Sequence, residues 1–358
     1  MPNPKTSFNP PLLTGLLILN KNALPLHRLL HYSLALLAMF ALVNLHGCGL
    51  YPQKTETLPA LHTLYDSVVL DSQSQTPISL QDLAKRLKDR DVVFIGEFHG
   101  NHASHLLQAQ LQALLFKQRP LQILSMEQFE RHQQTLVFRY LDDEIGEAYL
   151  VKEAPAWDNY TASYRPMVEF AKQHFLPVVA ANAPTDIVRC IGRQGQDYVG
   201  KLTEDERNWI AQTPFADIPG YLEKYQSWIQ EARHLTDDQA QKSYQAQIVR
   251  DNTMAESILR ALRDHPKHQV IHLNGAFHSA AHLGTVGALK ALNPNLKISV
   301  ISPITIDNPL KPTVQSEDFE QGDYLYLQQA QPEQYRNAAY RQKAFSKLFK
   351  NADSKVCR

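Results

Sequence analysis

The sequence predicts an α/β protein: a largely parallel central sheet flanked by helices, with a helical insertion. Short apolar runs of strand length recur along the chain, helical segments separate them, and several of the runs end in glycine or a polar residue. Continuous apolar strands suit a sheet covered on both faces, and their alternation with helices implies parallel pairing.

The composition is compatible with that architecture. The chain has 358 residues, 44% hydrophobic and 20% charged, which excludes a disordered or collagen-like protein. Lys and Arg total 36 and so do Asp and Glu, so the basic excess of a nucleic-acid binder is missing. The balance is uneven along the chain. The first 47 residues hold Lys5, Lys21 and Arg28 and no acid, leaving 33 basic and 36 acidic residues, a net −3 over the remaining 311.

That leader reads as an export signal over 1–47. Basic residues precede the apolar run Ser33–Leu45, SLALLAMFALVNL, which ends at Gly47-Cys48. Thirteen residues are too few for a spanning helix, which needs about 20. Leu45-His46-Gly47-Cys48 resembles the bacterial lipobox, with His46 as a departure, so Cys48 is the expected lipidation site. Gly49 is not the aspartate of inner-membrane retention, and the expected location is the cell envelope, at the outer membrane where there is one. Residues 48–60 read as a tether, 61–330 as the folded domain and 331–358 as a helical tail, amphipathic and basic. Three cysteines cannot form a disulfide scaffold, and Cys190 and Cys357 have no assigned role.

Strands are expected at 92–96, 122–126, 177–182, 270–274 and 298–301. Helices are expected over 128–175 and over 203–264, the latter the insertion. Thr203-Glu-Asp-Glu206 and Thr236-Asp-Asp-Gln239 are capping boxes, in which the Thr and the Glu or Gln satisfy free backbone amides at a helix start.

The chemistry gathers at strand ends. Ile95-Gly96-Glu97-Phe98-His99-Gly100-Asn101-His102 places two glycines, an acid and histidines where a strand gives way to a helix. Leu273-Asn274-Gly275-Ala276-Phe277-His278 repeats the Gly-x-x-His element, and Glu127 follows a third strand. In a parallel sheet these ends share one edge, where ligands bind. His99, His278, Glu127 and Glu97 would together suit a zinc, manganese or iron ion. His102, His105 and His282 fall in helical segments and read as surface residues. In Trp157-Asp-Asn-Tyr160 and Ser163-Tyr164-Arg165-Pro166 the aromatics suit either a core stripe or a flat ligand with a metal centre. A tyrosine can supply a phenolate to ferric haem iron, and Arg165 would favour that phenolate or pair with a propionate.

VVFIGEFHGNHASH, LSMEQFER, SYRPMVEFAKQHFLPVVAANAP and VIHLNGAFHSAAH, in that order, resemble the ChaN-like haem-binding uptake lipoproteins, a family related to the TIKI-type metalloproteases and erythromycin esterase-like proteins. The similarity spans about 60–330. It implies haem as cofactor, a role in iron or haem acquisition, and an outer-membrane haem or siderophore receptor as partner. It further implies an axial tyrosine at Tyr164, with Tyr160 as second choice, and His99 and His102 near the haem. A homodimer would shield an exposed haem face. The alternative from the same residues is a metal-dependent hydrolase or peptidase, with His99, His278 and Glu127 on a divalent cation and Glu97 as general base.

Overall fold

The computed structural model describes residues 57–154, 157–232, 235–353 and 356–358. The expected signal segment 1–47, Cys48 and the first part of the tether lie outside the described residues. Thr57–Arg358 forms one compact unit.

The elements run β1 (Val68–Asp71), β2 (Thr76–Pro77), α1 (Leu80–Leu87), β3 (Val92–Glu97), α2 (His102–Gln118), β4 (Gln122–Glu130), α3 (Gln134–Leu141), α4 (Glu147–Glu153), α5 (Tyr160–Ser163), α6 (Arg165–Gln173) and β5 (Val178–Asn182). There follow α7 (Thr185–Gln194), α8 (Glu204–Asn208), α9 (Tyr221–Ala232), α10 (Asp237–Asp264), β6 (Gln269–Gly275), α11 (Thr285–Leu292), β7 (Ile298–Ile306), β8 (Tyr324–Gln329) and α12 (Ala338–Asp353).

The strands form one sheet in the order β2-β1-β8-β7-β3-β6-β4-β5. From β5 through β8 every pairing is parallel; β1 alone runs antiparallel to β8, and β2 pairs antiparallel with β1 at the edge. Pro77 in β2 costs nothing there, because an edge strand leaves one row of amides unpaired.

The five expected strands are present because their apolar runs are buried on both faces. Val93 and Ile95 of β3 pack in one core with Leu107, Leu111 and Leu115 of α2. Val92 and Phe94 point the other way, into a core with Ile248, Ala255 and Ile258 of α10. Truncating Phe94 to Ala would cost about 3–5 kcal/mol, for lost burial plus the cavity left behind.

The helical expectations are refined. The stretch 128–175 is not one helix: β4 runs on to Glu130, and four helices follow, with Gly146 preceding α4 and Pro166 in the first turn of α6. The segment 203–264 is broken by a non-helical stretch at 209–220. Both capping boxes form, on α8 and α10. The longest part, α10, is not a detached lid, because it packs on the sheet as the crossover between β5 and β6.

Cys190 on α7 is disulfide-bonded to Cys357, with Cα atoms 5.6 Å apart, inside the usual range for a bridge. This supplies the role that sequence reading left blank. Among the described residues no helix is long and apolar enough to cross a membrane.

Candidate functional site

The sheet order reverses around β3, whose neighbours β6 and β7 both come much later in the chain. Crevices at the carboxyl ends of strands next to such a reversal are ligand sites. Here the crevice is a cleft of about 830 Å³ lined by Glu97, His99, Gly275 and His278 at its base and by Phe277 and Trp228 among its walls. That volume lies within the roughly 300–1,000 Å³ of small-molecule pockets.

Glu97 is the last residue of β3, and its side chain is fully buried. Its carboxylate accepts hydrogen bonds from the Tyr164 hydroxyl, from Gln108 Nε2 at 2.7 Å and from Gln128 Nε2 at 3.4 Å. His99 Nδ1 lies 2.8 Å from one carboxylate oxygen and His105 Nδ1 lies 3.6 Å from the other. Burial opposes ionisation of this carboxyl, but the His99 hydrogen bond and the charges of His105 and His99 outweigh it and hold its pKa below the usual carboxylate range. Burial likewise opposes a charged His99, yet the bond to Glu97 and the field of Glu127 raise its pKa.

Gly100 turns the chain from β3 into α2 with φ +79°, a left-handed conformation that favours glycine. Asn101 then caps the helix by accepting from the Ala103 and Ser104 amides. The second glycine requirement is steric. A Cβ on Gly275 would stand 2.8 Å from both Cε1 and Nε2 of His99. The bare Cα of Gly275 therefore makes room for the imidazole.

Glu127 sits in the irregular end of β4, where the register to β5 shifts. Its Oε2 accepts the Gly275 amide at 2.6 Å, and its Oε1 is 3.5 Å from His278 Nε2. His278 Nδ1 lies 2.7 Å from Asp251 Oδ1. Asp251, on α10, is fully buried and also accepts from Tyr221 and Thr285 hydroxyls, at 2.9 and 2.8 Å. Burial disfavours the charged imidazole of His278, but Asp251 and Glu127 more than offset it and raise its pKa. Lys224 on α9 donates to the carbonyls of Phe277 and Ala280 at 3.0 and 2.8 Å, and its burial pulls it down to about 8.

Glu97, His99, Glu127 and His278 are thus brought to one place, as expected. They do not form a convergent ligand set for a divalent ion. Among the described residues no group of three or more His, Cys, Asp or Glu is arranged to hold a metal. The reason lies in their existing bonds: Glu97 lies beneath His99 and is occupied by its donors, and Glu127 spends an oxygen on the Gly275 amide. Glu97 is not placed as a general base for cleft water either, because His99 stands over it.

The tyrosines are positioned otherwise than the sequence suggested. Tyr164 is fully buried with its hydroxyl on Glu97, and burial together with that carboxylate pushes the phenol well above its ordinary value. A buried neutral phenol that donates to a carboxylate is not an open phenolate. Tyr160 is buried against Phe129, with ring centroids 5.9 Å apart, and its hydroxyl has no hydrogen-bond partner among the described residues. Arg165 pairs with Glu147 through Nη2 at 2.7 Å, so it has a partner other than a propionate. His102 is exposed and stacks on Tyr65 at 5.2 Å, and neither lines the cleft. His105, read as a surface residue, is buried beside Glu97. Asp251 was missed altogether; a mid-helix aspartate 27 residues before His278 carries no local signal.

A family model described as haem-binding uptake, Tiki superfamily, ChaN matches residues 83–289, more than half of the chain. The chain belongs to this ChaN family. Its fold is similar to that of a ChaN of Campylobacter jejuni solved with cofacial haem binding, at 16% identity and a TM-score of 0.57, covering 74% of this chain and 98% of that one. An erythromycin esterase in its open conformation matches at 13% identity and a TM-score of 0.40, over 67% of this chain and 77% of that one. A Bacillus cereus protein matches at 11% and 0.43, over 76% and 95%. No curated protein matches in sequence.

The residues of this ChaN-family cleft fit a haem group. His99 uses Nδ1 on Glu97 and keeps Nε2 free of that bond, the arrangement in which a carboxylate orients a metal-binding imidazole and raises its basicity. Trp157 packs edge-on to His99 at 4.3 Å, and Phe98, Phe277, Trp228 and Pro303 give apolar walls. Bound haem would supply an iron centre with redox and ligand-exchange chemistry. With haem bound there, this chain would orient the imidazole and shield the ring from water.

Proposed function

We propose that the protein binds haem in the cleft at the carboxyl edge of the sheet, with His99 as the iron-binding side chain and Glu97 as its orienting partner. The observation that carries this reading is the His99–Glu97 contact at the base of an apolar-walled cleft in a ChaN-family domain. Tyr164 then acts beneath the site, holding Glu97 in place. The wider role is haem or iron acquisition at the bacterial cell envelope, with the chain lipidated at Cys48 and delivering to an outer-membrane haem or siderophore receptor. The disulfide between Cys190 and Cys357 supports an oxidising compartment, where such bonds persist. Phe98 and Trp228 at the cleft are 44% and 46% exposed, which suits a homodimer that covers the outer haem face.

Titration of the purified protein with haemin tests the site. A Soret band shifted from that of free haemin and weakened at least about tenfold in affinity by His99→Ala is the expected result. No spectral change on titration would refute haem binding, and retention of full affinity in His99→Ala would refute the ligand.

A hydrolase remains the second reading, favoured by the two carboxylate–imidazole pairs, Glu97 with His99 and Asp251 with His278. In that case His99, not Glu97, is the base for cleft water. Ester or peptide cleavage that persists in chelator and is lost in His99→Ala would support it.

A further inference from the structure

Residues 332–343 are all exposed, and in α12 Tyr340 and Phe345 are 69% and 48% exposed. From Gln334 to Ala352 the chain carries Arg336, Arg341, Lys343, Lys347 and Lys350 and no acidic residue. None of Arg336, Arg341, Lys343 or Lys347 is ion-paired among the described residues. The sequence spaces Tyr340, Ala344 and Leu348, and likewise Phe345, Phe349 and Ala352, three or four apart, the period of an apolar helical stripe.

This is not a loose tail. On one side of the segment, Gln329 donates to the carbonyls of Leu61 and Thr63 at 2.9 and 3.0 Å. On the other, Cys357 is bonded to Cys190, and Arg358 pairs with Glu206 at 2.8 Å. The helix is therefore fastened to the domain on both sides and presented outward.

We propose that α12 is a membrane-surface helix that binds anionic lipid headgroups. Its cations meet the phosphates, and its aromatic residues enter the interface. Charge decides the occupant. Five cations between Glu333 and Asp353, four of them in α12, beside an apolar stripe, complement a negatively charged bilayer, and aromatic side chains favour the headgroup level. The surface is independent of the haem cleft and of the lipid expected at Cys48. The lipobox-type anchor expected at Cys48 carries more than one acyl chain and would hold the protein by itself, so contact through α12 would set the orientation in which the domain lies on its membrane.

The test uses the chain from Thr57 onward, which contains the whole compact unit and lacks Cys48. It is floated with vesicles of phosphatidylcholine alone and of phosphatidylcholine with phosphatidylglycerol. Binding is expected only with phosphatidylglycerol, and to fall about tenfold or more at high salt and in the triple variant Arg341→Glu, Lys343→Glu, Lys347→Glu. Phe345→Ser should also weaken it. Unchanged melting curves of these surface variants exclude unfolding as the cause. Absence of binding, or equal binding to both vesicle types, overturns the proposal. So does self-association without lipid that Phe345→Ser abolishes, which would make a second copy the occupant.

Discussion

His99 Nδ1 lies 2.8 Å from Glu97 Oε1, and this one contact decides which imidazole nitrogen is left for the cleft. Replacing the carboxylate should therefore act on haem through the histidine. Glu97→Gln is expected to lower haemin affinity by about tenfold to a hundredfold, the usual effect of removing an orienting partner. Tyr164→Phe should leave a Soret band in place, because its hydroxyl supports Glu97 and does not enter the cleft. Parallel haemin titrations of the two variants make the comparison; loss of the Soret band in Tyr164→Phe would restore tyrosine as ligand.

Acidity should weaken haem binding. The His99 pKa is raised above its ordinary 6.5, and a protonated imidazole has no lone pair to give. Affinity should fall as pH drops through that raised value and level off above it. Haemin titrations across neutral pH, with His99-independent binding subtracted using His99→Ala, measure the effect. A flat profile would count against His99.

Gly275→Ala places a methyl 2.8 Å from two atoms of the His99 ring. Overpacking of this kind costs about 1–3 kcal/mol, and the ring must swing away from Glu97. A modest drop in melting temperature with a larger, at least about tenfold, loss of haemin affinity is expected. Equal affinity to wild type would show that the ring can move without consequence.

The His278–Asp251 pair gives the fold a pH dependence of its own. The folded-state pKa of His278 is raised above 6.5, so the stabilisation is fully present below that value and is lost as pH rises through the raised one. The melting temperature should decline over that interval in wild type. His278→Gln should flatten this component, and an unchanged slope would assign it to other groups.

Reducing the bond between Cys190 and Cys357, or Cys357→Ser, should destabilise the domain by about 2–4 kcal/mol, the usual value for a native bridge. Denaturant melts with and without reductant read this directly.

The sequence made β3, β4, β5, β6 and β7 legible because they are largely buried on both faces, which writes a continuous apolar run. It hid β1 and β8: Val68–Asp71 is only four residues, and Tyr324–Gln329 mixes tyrosine and glutamine within a core strand. The paired Gly-x-x-His elements were legible because glycine and histidine at a strand end are local signals. The partners of those histidines were not. Asp251 reaches His278 only through the packing of α10. Tyr164 reads as a ligand until its hydroxyl is seen to meet Glu97, 67 residues earlier in the chain.

The order of the strands bears on how the chain is made. β3 pairs only with β6 and β7, whose residues begin at Gln269 and Ile298. Until those arrive, a growing chain carries Val92-Val93-Phe94-Ile95 with both hydrogen-bonding edges open, a sticky segment awaiting neighbours made much later. Such long-range pairing is slow. The chain would need shielding by a chaperone until the C-terminal third is delivered, and the base of the cleft would be among the last parts to assemble.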